Sequence, residues 1–213
     1  MPTLLHIDSS PIYGRSVSRE LTAAFVTQWK ASHPDGRVVV RDLNATPISP
    51  ISAEWVGSVY TPEEARTPQQ KELLSLSDSL LDELEQADEY VFGVPMHNFG
   101  VPSVLKLWID QIARVGRTFS YVDGTPKGLI VGKKATFIIA TGGIYDAQTR
   151  MASLNFVEPY LRSVFGFLGV TDATFLTAGG TMALRQGHDR HAFLAPHLQA
   201  VQAHAQSLEG VAA

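Results

Sequence analysis

The residues that most clearly suggest a ligand-binding site are 95–100. They follow the apolar run 89–94 and are Pro, Met, His, Asn, Phe and Gly. A buried strand that ends in such a loop, and then enters a helix at residues 101–103, forms a crevice at the carboxyl end of a sheet. Open α/β folds bind their ligands there. The loop offers backbone N–H groups and flat apolar surface but no strong nucleophile and no cluster of metal ligands. It suits a planar cofactor that supplies the reaction chemistry itself.

A second candidate site follows the first predicted strand, where Ser10, Ser16 and Ser18 surround the start of a helix. Hydroxyl groups and the free N–H groups of a helix start bind phosphate, helped by the helix dipole. We expect Ser16 to cap the helix while the amides of Val17 and Ser18 point at the anion. The alternative is a loop that uses serine only as a helix cap.

A third candidate is residues 140–145 at the end of the fourth predicted strand, where paired glycines let the backbone approach a ring closely. Three strand ends, at residues 9–18, 95–100 and 140–145, would therefore converge on one crevice. A phosphate loop and two ring-contacting loops are what a mononucleotide with a flat tricyclic ring requires. The combination indicates a flavin.

Three motifs that would indicate other classes of site are incomplete or absent. Residues 128–134 approach a P-loop, but the spacing is one residue short and a lysine stands where the Ser or Thr that holds magnesium belongs. No G-x-G-x-x-G motif follows the first strand, which disfavours a dinucleotide fold, and no G-x-S-x-G elbow is present, which disfavours an esterase.

The elements that must position these loops alternate along the chain. Short apolar runs predict strands at residues 3–9, 37–43, 89–94, 134–141 and 171–178. Segments of helical period lie between them, one opening with the capping-box pattern of residues 67–70 and carrying Leu73, Leu76, Leu80 and Leu84 on one face, and another spanning about 150–168. Strands alternating with helices predict a parallel α/β sheet with helices on both faces. We expect one domain over residues 1–213.

Two insertions interrupt this pattern. Residues 44–66 form a long connection whose aromatics Trp55 and Tyr60, if exposed, indicate a partner surface. Residues 117–132 predict a hairpin near the carboxyl edge of the sheet. The alternative is that both insertions only cover the core.

The bulk composition excludes several classes. A net charge of −4 without clustered Lys and Arg argues against nucleic-acid binding. The chain has no cysteine, which excludes disulfides, thiolate metal sites and cysteine nucleophiles. No apolar run reaches the length that a membrane-spanning helix requires. We expect a cytoplasmic protein with no membrane, nucleic-acid or metal partner.

With these residues assembled, the chain resembles the bacterial FMN-dependent NADH:azoreductases and NAD(P)H:quinone oxidoreductases, which are homodimeric flavodoxin-like enzymes. The similarity covers nearly the whole chain, with shared motifs at residues 41–43, 67–70, 76–78, 95–99, 128–129, 132–134, 159–161 and 166–169. It implies a five-stranded sheet of order 2-1-3-4-5 and FMN as cofactor. It also implies NADH or NADPH as donor, a quinone or azo acceptor, and a ping-pong mechanism in a homodimer.

The resemblance also assigns the cofactor site. The phosphate would be held at Ser10, Ser16, Val17 and Ser18, and the ring by two loops whose residues are Met96, His97, Asn98, Phe99, Ala140, Thr141, Gly142 and Gly143. This chain departs from the family pattern at His97, which replaces a tyrosine, and at Ala140-Thr141, which replaces Ser-Arg. Candidates for the acceptor pocket are Tyr121, Tyr145 and Phe165, with a core role as the alternative for Phe165 and for Phe167.

Two rival functions use the same fold. One is a flavodoxin-type electron carrier, or another NAD(P)H-dependent FMN reductase with a different acceptor. The other is an interaction domain that keeps the fold without a cofactor. Fold alone does not decide among them.

Overall fold

The computed structural model describes residues 1–208. Its strands are β1 (Thr3–Asp8), β2 (Arg37–Asp42), β3 (Glu89–Pro95), β4 (Phe119–Val122), β5 (Thr125–Gly128), β6 (Lys134–Ala140) and β7 (Asp172–Ala178). Its helices are α1 (Val17–Ser32), α2 (Ala53–Tyr60), α3 (Pro68–Gln86), α4 (Ser103–Ile112), α5 (Val157–Leu168), α6 (Met182–Arg185) and α7 (Arg190–Ser207).

Five of these strands form one parallel sheet of order β2-β1-β3-β6-β7, which confirms the predicted order 2-1-3-4-5. The three central strands β1, β3 and β6 are buried along nearly their whole length, as expected for a sheet covered on both faces. Because their side chains alternate, Phe92 and Phe137 pack in one layer while Leu4, Val91 and Ile138 pack in the other.

Helices cover the two faces unequally. The larger core includes buried side chains of α3, α4 and α5, among them Leu80, Trp108 and Leu161. The smaller core includes side chains of α1 and α7, among them Phe25 and Val201. The capping box of α3 is confirmed, because Thr67 and Gln70 each accept a hydrogen bond from the other's backbone N–H.

The predicted hairpin is confirmed as the antiparallel pair β4–β5. It packs against the end of α5, where a Cβ on Gly128 would lie 2.2 Å from the backbone nitrogen of Gly169. The N–H of Ile130 donates to the carbonyl of Leu168 at 2.9 Å, which continues the same attachment.

Three local predictions are wrong. Residues 44–66 are not a plain connection, since they contain α2 and a 3₁₀ turn at Glu63–Ala65. Because α2 packs on α3, Trp55 is buried, whereas Tyr60 is exposed. Leu73 is exposed, since Leu74 begins the buried face of α3. The helix expected from about 150 begins at Val157, after a 3₁₀ turn. None of the helices within residues 1–208 is both long and apolar enough to cross a membrane.

Candidate functional site

Three loops leave the sheet at one edge, from the carboxyl ends of β1, β3 and β6. Hydrogen bonds fasten them to each other: Ser9 donates its N–H and its hydroxyl to the carbonyl of Gly93, at 3.1 and 2.7 Å. The N–H of Met96 donates to the carbonyl of Ala140 at 2.8 Å. The order of the sheet therefore brings together the three segments that the sequence singled out.

The loop after β1 ends in a cluster of buried hydroxyls at the start of α1. Ser16 is the N-cap and accepts a hydrogen bond from the N–H of Arg19 at 3.4 Å, which confirms its predicted role as a helix cap. Its hydroxyl lies 3.1 Å from that of Ser18, and Ser10, Ser16 and Ser18 are all buried. In the first turn of a helix, N–H groups such as those of Val17 and Ser18 have no partner within the helix. Together these groups form a small cradle of donors.

Arg19 lies behind this cradle, with its guanidinium hydrogen-bonded on several sides. Its Nε and Nη2 donate to the carbonyl of Ser10, at 3.0 and 2.7 Å. Nη2 also donates to Asp42 Oδ1 at 2.8 Å, and Nη1 to Asp8 Oδ2 at 3.4 Å. Burial alone would raise the pKa of Asp42, but hydrogen bonds from Arg19 and from the N–H of Asn44 outweigh it and hold that pKa below its ordinary value.

The loop after β3 is a tight turn with unusual backbone angles. Two hydrogen bonds of 3.0 Å join His97 and Gly100, and the residues between them, Asn98 and Phe99, have φ angles of 49° and 70°. Two successive positive φ angles define a turn of type I′. Asparagine tolerates this conformation, whereas for phenylalanine it is strained. Strain of this kind is typical of ligand-binding positions, and here it presents the Phe99 ring, 40% exposed, at the edge of the sheet.

The loop after β6 is held by the segment that follows β7. The carbonyl groups of residues 141–143 accept hydrogen bonds from the N–H groups of residues 180–182, at 3.0–3.1 Å. The buried Thr141 hydroxyl donates to the carbonyl of Gly143 at 2.7 Å. Gly142 and Gly143 are exposed, so the loop presents bare backbone at the edge of the sheet. Tyr145 contacts Phe99 edge-on, with ring centroids 6.3 Å apart, which links this loop to the preceding one.

A groove of about 870 Å³ opens beside the turn at His97. It is bounded by the turn and the first residues of α4 on one side and by the start of α5 on the other; the lining residues are His97, Asn98, Gly100, Val101, Ser103, Lys106, Phe156, Pro159, Tyr160 and Ser163. Lys106 is paired with Asp110 on α4, with Nζ–O distances of 2.5 and 2.7 Å, and this pairing raises the pKa of Lys106. Burial raises the pKa of the Tyr160 phenol, so this hydroxyl remains protonated at neutral pH.

Sequence reasoning missed several of these residues. Phe156, 57% exposed, gives no local signal, because a single aromatic before a helix is common in cores as well. The network around Arg19 did leave a signal. Asp8 and Asp42 end two neighbouring strands and are partners in the β1–β2 register, and two adjacent carboxylates require a cation.

The three acceptor-pocket candidates do not lie together. Tyr145 is on the β6 loop, as described above. Tyr121 is on β4, exposed, and contacts Phe119 rather than the groove. Assigning Phe165 to the pocket is wrong: its side chain is 1% exposed and packs edge-on against both Phe92 and Phe137, with ring centroids 5.0 and 4.9 Å away. Its neighbour Phe167 is partly exposed and contacts Phe119.

Comparison with known proteins gives consistent matches over the whole length. The family with the flavodoxin-like fold matches residues 2–205. A protein of Acidobacterium capsulatum named FMN-dependent NADH:quinone oxidoreductase is 58% identical over 203 residues, which cover 95% of this chain and 98% of that protein. A protein of Burkholderia lata named FMN-dependent NADH:quinone oxidoreductase 3 is 48% identical over 201 residues, covering 94% and 97%.

Solved structures agree with these relatives. The crystal structure of an azoreductase from Bacillus anthracis superimposes with a TM-score of 0.88 at 26% identity, covering 97% of this chain and 100% of that one. A second structure from that organism, of an FMN-dependent NADH-azoreductase in complex with FMN, has a TM-score of 0.87 at 25% identity, covering 99% and 100%.

Proposed function

Since the chain belongs to the flavodoxin-like family that includes the FMN-dependent NADH:quinone oxidoreductases, we propose that it transfers electrons from NADH to quinones and to aromatic azo compounds. We further propose a ping-pong mechanism, in which donor and acceptor occupy the same cleft in turn. The observation that carries the proposal is the convergence of three loops, one with a donor cradle and two with flat or bare surfaces, at one edge of the sheet.

The residues at this edge fit FMN. The hydroxyls of Ser10, Ser16 and Ser18, with the first N–H groups of α1, match a phosphate dianion in number and polarity. Residues 96–99 and 140–143 would hold the ring, the first through the strained turn and the second through exposed glycine backbone. When bound, FMN would supply the redox chemistry that couples hydride donation by NADH to two-electron reduction of the acceptor.

The protein's own contribution is placement. Phe99 and Tyr145 are in contact and provide an aromatic surface on which a planar substrate would pack. No side-chain nucleophile is needed. A quinone takes up two electrons in one cycle, whereas cleavage of an azo bond to two amines takes four and therefore two cycles.

We also propose a homodimer with residues 44–66 and the β4–β5 hairpin near the shared sites. Exposed apolar side chains on these segments support it, namely Tyr60 on α2 with Tyr121 and Val122 on β4. Trp55, being buried, does not contribute. Multi-angle light scattering at micromolar concentration tests this proposal, and the mass of a single chain would refute it.

Two measurements test the activity. The purified protein is expected to absorb near about 450 nm, and flavin released by heat should co-elute with FMN rather than with FAD or riboflavin. Initial rates of NADH oxidation are then measured with a quinone and an azo dye in parallel. Double-reciprocal plots that stay parallel as the second substrate varies support ping-pong, whereas intersecting lines contradict it. Repeating the series with NADPH gives the donor preference.

The electron-carrier alternative predicts a different result. A carrier would bind FMN but would be reduced slowly when NADH alone is mixed with it in a stopped-flow instrument. A colourless protein with no affinity for added FMN would leave the interaction-domain alternative.

A further inference from the structure

Arg19 lies behind the phosphate cradle, yet its guanidinium is almost fully engaged elsewhere. Its four hydrogen bonds, to the Ser10 carbonyl twice and to Asp8 and Asp42, use four of its five N–H groups. Its side chain is 14% exposed, and the Tyr13 ring lies over the guanidinium carbon at 4.4 Å. Little of this side chain remains for a ligand.

The single positive charge of Arg19 is also more than compensated within the protein. Asp8 and Asp42 place two carboxylates around one guanidinium. Asp8 additionally accepts a hydrogen bond from Thr22 at 3.1 Å and lies 3.2 Å from His6 Nε2, so its position is fixed from several directions. A cation compensated in this way adds little electrostatic attraction for an anion nearby.

What Arg19 does hold is the loop itself. Residues 11–15 are all exposed, and within the loop the Ser10 side chain makes only weak contacts of 3.3 and 3.5 Å with Ile12. Arg19 fixes the loop at its start through the Ser10 carbonyl and in its middle through the Tyr13 ring. Its own backbone N–H donates to the Ser16 cap at the end of the loop. One residue therefore contacts the beginning, middle and end of the segment that forms the cradle.

We propose that Arg19 is a positioning residue for the cofactor phosphate, holding residues 9–16 in the binding conformation without contacting the phosphate. The identity of the ligand rests on the proposed function, but the ordering of the loop does not. Groups that orient metal ligands change metal affinity by about 10–100-fold when they are removed, and we expect Arg19, which orients the loop in a comparable way, to have an effect of that size on FMN and not on riboflavin, which lacks the phosphate.

The first test titrates apoprotein with FMN and with riboflavin by flavin fluorescence. Arg19→Gln should weaken FMN binding by about 10–100-fold. It should leave riboflavin affinity within about twofold. Arg19→Lys should remain as weak as Arg19→Gln, since one ammonium group cannot reproduce the planar fork. Arg41→Gln is the matched control: the Arg41 side chain is 22% exposed, against 14% for Arg19, and it pairs with Glu83 and Thr46 at the end of β2, outside the loop.

The second test uses no flavin. Hydrogen exchange of the apoprotein should speed up in residues 9–16 of Arg19→Gln and remain unchanged there in Arg41→Gln. Recovery of FMN affinity by Arg19→Lys would overturn the proposal in favour of a simple charge effect. Equal losses for FMN and riboflavin, or unchanged exchange in residues 9–16, would also overturn it. If wild-type apoprotein bound neither flavin, the proposed function would fail, while the exchange result would still decide the role of Arg19 in the loop.

Discussion

Replacing Ser16 and Ser18 together by alanine tests the phosphate cradle directly. Both side chains are buried, and their hydroxyls bond to each other at 3.1 Å, so the double substitution removes two donors and leaves the surrounding backbone in place. Ser16 also caps α1, so some loss of stability is expected alongside the loss of FMN affinity.

The expected size follows from the bonds exchanged. A hydrogen bond to a charged group contributes about 1.5–3 kcal/mol, and the neutral bond between the two serines, given up when phosphate binds, is worth about 1 kcal/mol. When FMN binds, the wild-type protein would gain two bonds to the phosphate and give up one between the serines, a net binding free energy of about 2 kcal/mol at the low end. The double variant lacks this contribution, so its Kd for FMN should be roughly 30-fold weaker.

Fluorescence titration of apoprotein with FMN measures this change. The control is Ser52→Ala, because Ser52 caps α2 by accepting a hydrogen bond from the Trp55 N–H at 3.1 Å and lies outside the three loops. It should lose about 0.5–2 kcal/mol of stability, as any N-cap serine does, and keep full FMN affinity. An FMN Kd in the double variant equal to that of Ser52→Ala would place the phosphate elsewhere and refute the assignment.

Three further predictions concern single residues. A Cβ at Gly93 would lie 2.4 Å from Asp8 Oδ1, so Gly93→Ala should lower the free energy of unfolding by about 1–3 kcal/mol. Each kcal/mol lost should lower Tm by about 2–4 °C, and an unchanged calorimetric Tm would contradict this packing. Burial raises the pKa of Glu89, which accepts a hydrogen bond from Trp29 Nε1 at 2.7 Å, so the folded state holds this proton more tightly than the unfolded state and wild-type stability falls as pH rises above about 4.3. Glu89→Gln should therefore gain stability relative to wild type between about pH 4 and pH 7 in urea unfolding, and a difference independent of pH would contradict this. His97→Tyr should change the ratio of the turnover rates with a quinone and with an azo dye, because His97 lines the groove and a phenol ring is larger than imidazole; an unchanged ratio would make His97 a spacer.

The alternating α/β architecture and the convergence of the three loops were predictable because they depend on local patterns, whereas the sheet order 2-1-3-4-5 came from the family resemblance. Short apolar runs separated by helical periods specify an alternating α/β chain, and strand ends in a parallel sheet necessarily share an edge. The helix cap at Ser16 and the capping box at Thr67 follow from residue type and spacing alone, and both are confirmed.

The failures concern side chains whose environment is set by distant segments. Trp55 is buried because α2 packs on α3, and α2 is too short, at eight residues, for a periodic signal. Phe165, on α5, is buried because it packs against Phe92 and Phe137, which lie on the distant strands β3 and β6. The Arg19 network joins α1 to the ends of β1 and β2. Periodicity within one element does not report such meetings.

The strained turn at Phe99 has a consequence for how this protein can drift under mutation. A left-handed backbone costs a non-glycine residue about 1–2 kcal/mol, and a ring that is 40% exposed regains only part of this by burial. Phe99→Gly would relieve the backbone strain at this position. It would also raise the conformational entropy of the unfolded chain, which lowers the free energy of unfolding by about 0.4–1 kcal/mol, so the two effects largely cancel. Loss of the ring would then be nearly neutral for folding. A screen that reads expression or heat resistance would not detect it, and only selection on the reaction itself would keep phenylalanine at this position.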